Sequence, residues 1–217
     1  MIKKINFPVI IILAFFLFSM SAISGCSTPE GAAKDKENEL KPAEAEQINL
    51  EDFSADNITI NAEIKTSEYP FSYEDSATGI TMYWYNDSEN LYIGLESQAQ
   101  GWTSIGFGPE ASMKGANIIM LAVEDGGAAA RDDYGNSGFS HSPDEDLGGN
   151  FDITEYAGKK NEYAAIYEFT IPLKSGDEFD SILEPGNSYS VILAVNSESN
   201  DFDRKHSRRS GTTIELW

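Results

Sequence analysis

The chain is 217 residues long, with 36 acidic and 15 basic side chains and a formal net charge of −21. That excess of acid excludes nucleic-acid binding, which needs a basic face, and disfavours docking on anionic lipid or other acidic polymers. Cations and positively charged partners would instead be steered towards the chain. A single cysteine, Cys26, leaves no pair for a disulfide and no C-x-x-C-H site for covalent haem attachment.

Lys3 and Lys4 form a charged start, and Phe7 to Met20 form an apolar stretch. Ile23-Ser24-Gly25-Cys26 then resembles the lipobox of bacterial and archaeal lipoproteins. The resemblance implies a signal peptide over residues 1–25 and lipidation of Cys26, which would become the first residue of the mature protein. An uncleaved anchor is the alternative. Either way the expected location is outside the cytoplasm, attached to the cell-envelope membrane through the N-terminus. Loss of residues 1–25 removes two lysines and no acids, so the mature charge is (15 − 2) − 36 = −23. Residues 26–48 are small and charged and cannot bury enough surface to offset their ordering entropy, which makes them a flexible tether. Residues 49–217 suit one domain with a sizeable core.

Strand signals dominate that domain. Ile58 to Ile64 and Thr81 to Tyr85 alternate, and Leu91 to Leu95 follows the polar link Asn86-Asp87-Ser88-Glu89-Asn90, which predicts a hairpin. Further strands are expected at 102–107, 116–123, 128–134, 151–156, 163–171, 188–195 and 212–217. Trp102 to Phe107 would place Trp, Ser and Gly on one face and Thr, Ile and Phe on the other. Ala116 to Val123 is almost unbroken in its apolar character, as in a strand buried on both sides. No window has the period of an amphipathic helix, and no repeat is present. Many short strands imply an all-β antiparallel sandwich of immunoglobulin-like type.

An ordered series of short motifs adds to this. Trp84 precedes Leu91-Tyr92-Ile93, then come Gly101-Trp102 with Ile105-Gly106-Phe107, and Met113 with Gly115-Ala116-Asn117. Asp132-Asp133-Tyr134, Tyr167-Glu168-Phe169 and His206-Ser207-Arg208-Arg209-Ser210-Gly211 complete it. In this order they resemble the DOMON family, β-sandwich domains that occur in dopamine β-monooxygenase and in the cytochrome domain of cellobiose dehydrogenase. Some members are similar to b-type cytochromes, with haem held by a methionine and a histidine, and others bind carbohydrate. The resemblance implies that Met113 and His206 are the haem-iron ligands. A thioether and a neutral imidazole would fill both faces of the iron, favouring outer-sphere electron transfer over oxygen chemistry. Lys205 is a fallback ligand and His141 a second candidate histidine; Trp102, Phe107, Tyr83 and Tyr85 are candidate pocket walls. Methionine also fills gaps in cores, and His206 lies in a basic cluster whose ordinary role is a solvated loop.

A second pattern runs from Asp144 to Glu155. Asp144, Asp146, Asp152 and Glu155 fall at positions 1, 3, 9 and 12 of a calcium-loop spacing, with Gly149 at 6 and Asn150 at 7. Position 5 is Gly148, which forfeits a ligand, and a plain solvated loop is the alternative reading. Nucleophile elbows, zinc-protease motifs and phosphate-cradling loops are absent. The expectation is therefore a non-enzymatic, lipid-anchored b-type haem protein that passes electrons to a redox partner protein or an extracellular acceptor. A carbohydrate or small-ligand binding module and a calcium-dependent surface domain are the alternatives.

Overall fold

The alternating segments of the sequence pair into two antiparallel sheets in the computed structural model, which describes residues 49–124 and 127–217. The expected signal peptide and tether, with Cys26, lie outside the described residues. Among those described, eleven strands form: β1 (Phe71–Asp75), β2 (Ile80–Asn86), β3 (Asn90–Ser97), β4 (Thr103–Phe107), β5 (Asn117–Glu124), β6 (Gly127–Tyr134), β7 (Ser142–Pro143), β8 (Glu155–Lys160), β9 (Ala165–Pro172), β10 (Ser188–Val195) and β11 (Arg208–Glu215). One sheet has the order β1-β2-β3-β9-β8 and the other β11-β10-β4-β5-β6-β7. The expected all-β sandwich is thus the observed one. Its sole α-helical element among the described residues is a single turn, α1 (Asp144–Leu147).

Alternation sets what each sheet buries. Ile105 and Phe107 of β4 and Ile119 and Leu121 of β5 point between the sheets, against Ile93, Leu95, Tyr167 and Phe169. Their register neighbours face the other way. Ile118, Met120 and Ala122 join Trp102 and Ala116 in a second apolar cluster on the outer face of the six-stranded sheet. The doubly buried strand expected at 116–123 is therefore present, and its outer face is the floor of the site described below.

Three expected strands differ. Ile58 to Ile64 is irregular: Asn61 and Glu63 donate their N–H groups to the buried carboxylate of Glu168 (3.0 and 3.1 Å), so a side chain replaces a partner strand. Ile64 packs over Gly94, where an added Cβ would stand 3.0 Å from the Ile64 side chain. Phe151 to Thr154 is also irregular, and β8 begins only at Glu155. The final strand starts earlier than expected, at Arg208, because its pairing with β10 runs back to Val195. No helix of the described residues is long and apolar enough to cross a membrane.

Candidate functional site

The outer apolar face of the six-stranded sheet opens into two adjoining cavities of about 880 and 340 Å³, and both are lined by Trp102, Met113, His141, His206 and Arg209. Three loops bring these groups together. Met113 lies between β4 and β5, His141 between β6 and β7, and His206 between β10 and β11. Sequence neighbours could not have met in this way; the sheet order β10-β4-β5-β6 sets their loops side by side.

Each loop is held by its own backbone. Around Met113, Lys114 donates its N–H to Ala111 (3.0 Å), Ala116 to Met113 (3.0 Å) and Gly115 to Gly135 (2.8 Å). Gly115, at φ +75°, takes the left-handed turn that returns the chain to β5. Gly135 serves differently: its backbone passes so close to Met113 that any Cβ there would overlap the Met113 carbonyl oxygen and lie 2.7 Å from the carbonyl carbon. On the opposite wall, the Trp102 indole N–H donates to the Arg204 carbonyl (3.2 Å), and the Asn196 side-chain amide donates to that of Lys205 (3.0 Å). Ser207 N–H donates to Val195 (2.8 Å). These bonds bracket His206 and hold its segment over Trp102.

His206 is half-buried, and its pKa is held below the usual histidine range, first by burial and then by the charges of Arg209 and Lys205. It is therefore a neutral imidazole near pH 7, the form that ligates metals. His141 differs. Its Nδ1 meets the carboxylate of Asp133 at 2.5 Å. Asp133, fully buried, also accepts a two-pronged bond from Arg131 (2.7 and 2.9 Å). Burial opposes the Arg131 charge, but its bonds to Asp133 and Asp203 outweigh that and hold its pKa above the usual value. The same guanidinium lies 5.3 Å from the centre of the Phe202 ring and donates to Met120 Sδ at 3.7 Å. This network stiffens the wall that carries His141.

The arrangement fits a flat, largely apolar cofactor with anionic edges. Its floor is Ile118, Met120, Ile192 and Ala194, a soft sulfur and two imidazoles stand at the walls, and Arg204, Lys205 and Arg209 supply positive charge. Met113, His206, His141, Lys205 and Trp102 thus all line the larger cavity. Phe107, Tyr83 and Tyr85 do not. Phe107 alternates into the inter-sheet core, and both tyrosines lie on β2 of the other sheet. Arg131, Asp133 and Phe139, which is 91% exposed at the rim, went unrecognised in the sequence. Asp133 stood within a quoted motif, yet nothing there marked it as the orienting group for His141.

The calcium-loop spacing does not gather its residues. Asp144 to Leu147 wind into α1 instead of a ligand loop, Asp146 and Glu155 face solvent, and Asn150 donates its side-chain amide to Asp177 (3.0 Å). Among the described residues, the group close enough to share an ion is Asp132, Asp144 and Asp180.

The family model described as the DOMON domain matches residues 76–196. Among solved structures the chain is similar to the cytochrome b domain of pyranose dehydrogenase from Coprinopsis cinerea, at 12% identity and TM-score 0.49, covering 66% of this chain and 80% of that one. It is also similar to the cytochrome domain of Myriococcum thermophilum cellobiose dehydrogenase, at 9% identity and TM-score 0.48, covering 68% and 88%. A family 9 carbohydrate-binding module from Caldicellulosiruptor kristjanssonii in complex with glucose follows at 14% identity and TM-score 0.39, covering 74% and 91%. No curated protein matches.

Proposed function

This chain belongs to the DOMON family, and from that premise we propose that it is an extracytoplasmic, lipid-anchored protein that binds b-type haem and transfers electrons, with no substrate turnover of its own. The observation that carries the reading is the meeting of Met113 and His206, distant in sequence, at one apolar-floored cavity. Met113 and His206 would hold the haem there, and the haem would supply one-electron transfer. Met113 offers a neutral sulfur and His206 a neutral nitrogen, so neither ligand brings charge into the cavity. Ile118, Met120 and Ala194 exclude water from one face, while Arg204, Lys205 and Arg209 would pair with anionic edge groups. The N-terminal lipobox resemblance would keep this carrier at the membrane surface, in reach of a donor and an external acceptor.

An absorption spectrum of the chain produced with haem supplied, oxidised and then reduced with dithionite, tests this. The expected result is a sharp Soret band with resolved α and β bands on reduction, lost or shifted in Met113→Ala and in His206→Ala. A colourless protein that also ignores added haemin would overturn it. One observation favours a second reading: Phe139, 91% exposed at the cavity rim, offers a face on which a sugar ring would stack. Retention on polysaccharide, abolished by Phe139→Ala, would support that alternative.

A further inference from the structure

On the inward face of β6 lies a second set of side chains that haem binding does not use. Asp132 in β6, Asp144 at the start of α1 and Asp180 in the segment before β10 each bring a carboxylate oxygen within 4.8 Å of the others. They come from three separate stretches of chain, so only folding assembles them. Asp132 and Asp144 are buried, and Asp180 is half-buried. Among the described residues, no Lys, Arg or His bonds to any of the three.

Independent groups point at the same place. Both carboxylate oxygens of Asp144, which is 0% exposed, lack any hydrogen-bond partner. So do Asp132 Oδ1, Asp152 Oδ2 and the side-chain oxygen of Asn117. Asn117 is neutral and buried, and its amide donates to Asp180 at 2.5 Å. The Asp152 N–H donates to Asp132 at 3.0 Å. Five buried acceptor oxygens without donors, joined to three uncompensated carboxylates, are costly unless a cation satisfies them. Without one, burial and then the neighbouring acids push Asp132 up to about 8, Asp144 to about 7 and Asp180 to about 6.

The donor set selects the ion. All candidate atoms are carboxylate or carboxamide oxygens, with no nitrogen or sulfur, which excludes a soft-metal preference. Asp144 offers two oxygens, and the irregular segments carrying Asp152 and Asp180 do not impose an octahedron; calcium accepts such flexible sets of 6–8 oxygens. We infer that Asp132, Asp144 and Asp180, assisted by Asp152 and Asn117, form a calcium site that ties β6, α1 and the 175–181 segment together. Pro143, immediately before Asp144, lines the larger cavity, so the ion would also anchor that wall.

The test uses the full chain without haem, stripped with EDTA and then freed of it, so its result is independent of the haem reading. At 1 mM, Ca²⁺ should raise Tm by about 5–10 °C for a dissociation constant near 10 μM, while the same Mg²⁺ should raise it far less. Asp144→Asn and Asp180→Asn should abolish the Ca²⁺ increment, whereas Asp146→Asn and Glu155→Gln should retain it. Terbium luminescence on the wild-type chain, saturating at about one equivalent and displaced by excess Ca²⁺, provides a readout that needs no variant to fold. No Tm change and no terbium signal would overturn the site. An equal Mg²⁺ shift would overturn calcium as its ion, and loss of the increment in Asp146→Asn would return the site to the sequence loop.

Discussion

Replacing Gly135 by alanine should move Met113 without touching a single side chain of the cavity. Gly135 has no positive φ, so an alanine there meets no intrinsic backbone strain; what it lacks is room. The new Cβ would overlap the Met113 carbonyl oxygen and lie 2.7 Å from its carbon and 3.3 Å from Ala116 N. Relaxed carbon–carbon contacts lie near 3.5–4.0 Å, so one backbone or the other must retreat by about 1 Å. The retreat stretches two hydrogen bonds, Gly115 N–H to Gly135 (2.8 Å) and Gly135 N–H to Ala116 (2.9 Å), beyond useful range. Those bonds are worth roughly 1 kcal/mol each, net, and overpacking adds about 1–3 kcal/mol. A loss of about 3–5 kcal/mol follows, or about 6–20 °C in Tm for a domain of this size.

Urea unfolding reads the stability term, and reduced-minus-oxidised spectra of the haem-supplied chain read the ligand term. The expected variant is destabilised and has lost the methionine-ligated signature. Gly138→Ala in the same loop is the control, since its Cβ would meet nothing closer than 3.6 Å and should leave both readouts unchanged. A Gly135→Ala protein as stable as the parent would refute the claim that close backbone packing positions Met113.

Other substitutions probe separate parts of the same frame. His141→Ala should leave the six-coordinate spectrum in place while lowering stability slightly, whereas its loss of the spectrum would make His141 the iron ligand in place of His206. Asp133→Ala should cost about 3 kcal/mol in denaturant unfolding, the low end for one partner of a buried pair, because Arg131 is partly exposed and retains Asp203. Burial pushes the Asp75 carboxyl up, but bonds from the Ser210 and Thr78 hydroxyls and nearby N–H groups outweigh it and hold its pKa below the usual value. The folded state therefore binds this proton less readily than the unfolded chain, so the contribution is present above the ordinary aspartate pKa and lost as pH falls below it. Ser210→Ala should shrink that loss in acid melts below about pH 4.

The sequence revealed the sheet faces better than the loops between them. Alternation through Trp102–Phe107 correctly separated the inter-sheet core from the outer face, because burial on a strand has a strict period of two. The same rule misled at Ile58 to Ile64, where an alternating segment finds its backbone acceptor in the Glu168 side chain, a tertiary partner more than a hundred residues away. β1 escaped notice because its middle residues, Ser72 to Glu74, are exposed and carry no apolar period. Met113 and His206 were found through family resemblance, since no local spacing links two loops that only the sheet order makes neighbours. The carboxylate cluster had a false local signal. Regular spacing drew attention to Asp146 and Glu155, while Asp132, quoted only as part of a family motif, and Asp180, distant in sequence, had nothing to mark them as metal ligands.

β6 is the element on which the two candidate sites depend, because consecutive residues of a strand face opposite ways. Asp133 pairs in register with Ile118 and faces the cavity, where it holds Arg131 and His141. Asp132 pairs with Ile119 and faces inward to Asp144 and Asp180. A one-residue slip of this strand would exchange the two carboxylates between sites, so a cation bound inside fixes the register on which the cavity wall relies. Any resulting coupling must be reciprocal: if Ca²⁺ tightens haem binding by some factor, haem tightens Ca²⁺ binding by the same factor. Haem affinity measured with Ca²⁺ and with EDTA should differ, and Ca²⁺ affinity with and without haem should give the same ratio. Two tight but mutually indifferent sites would mean that β6 acts as a rigid partition, already fixed by its pairing with β5.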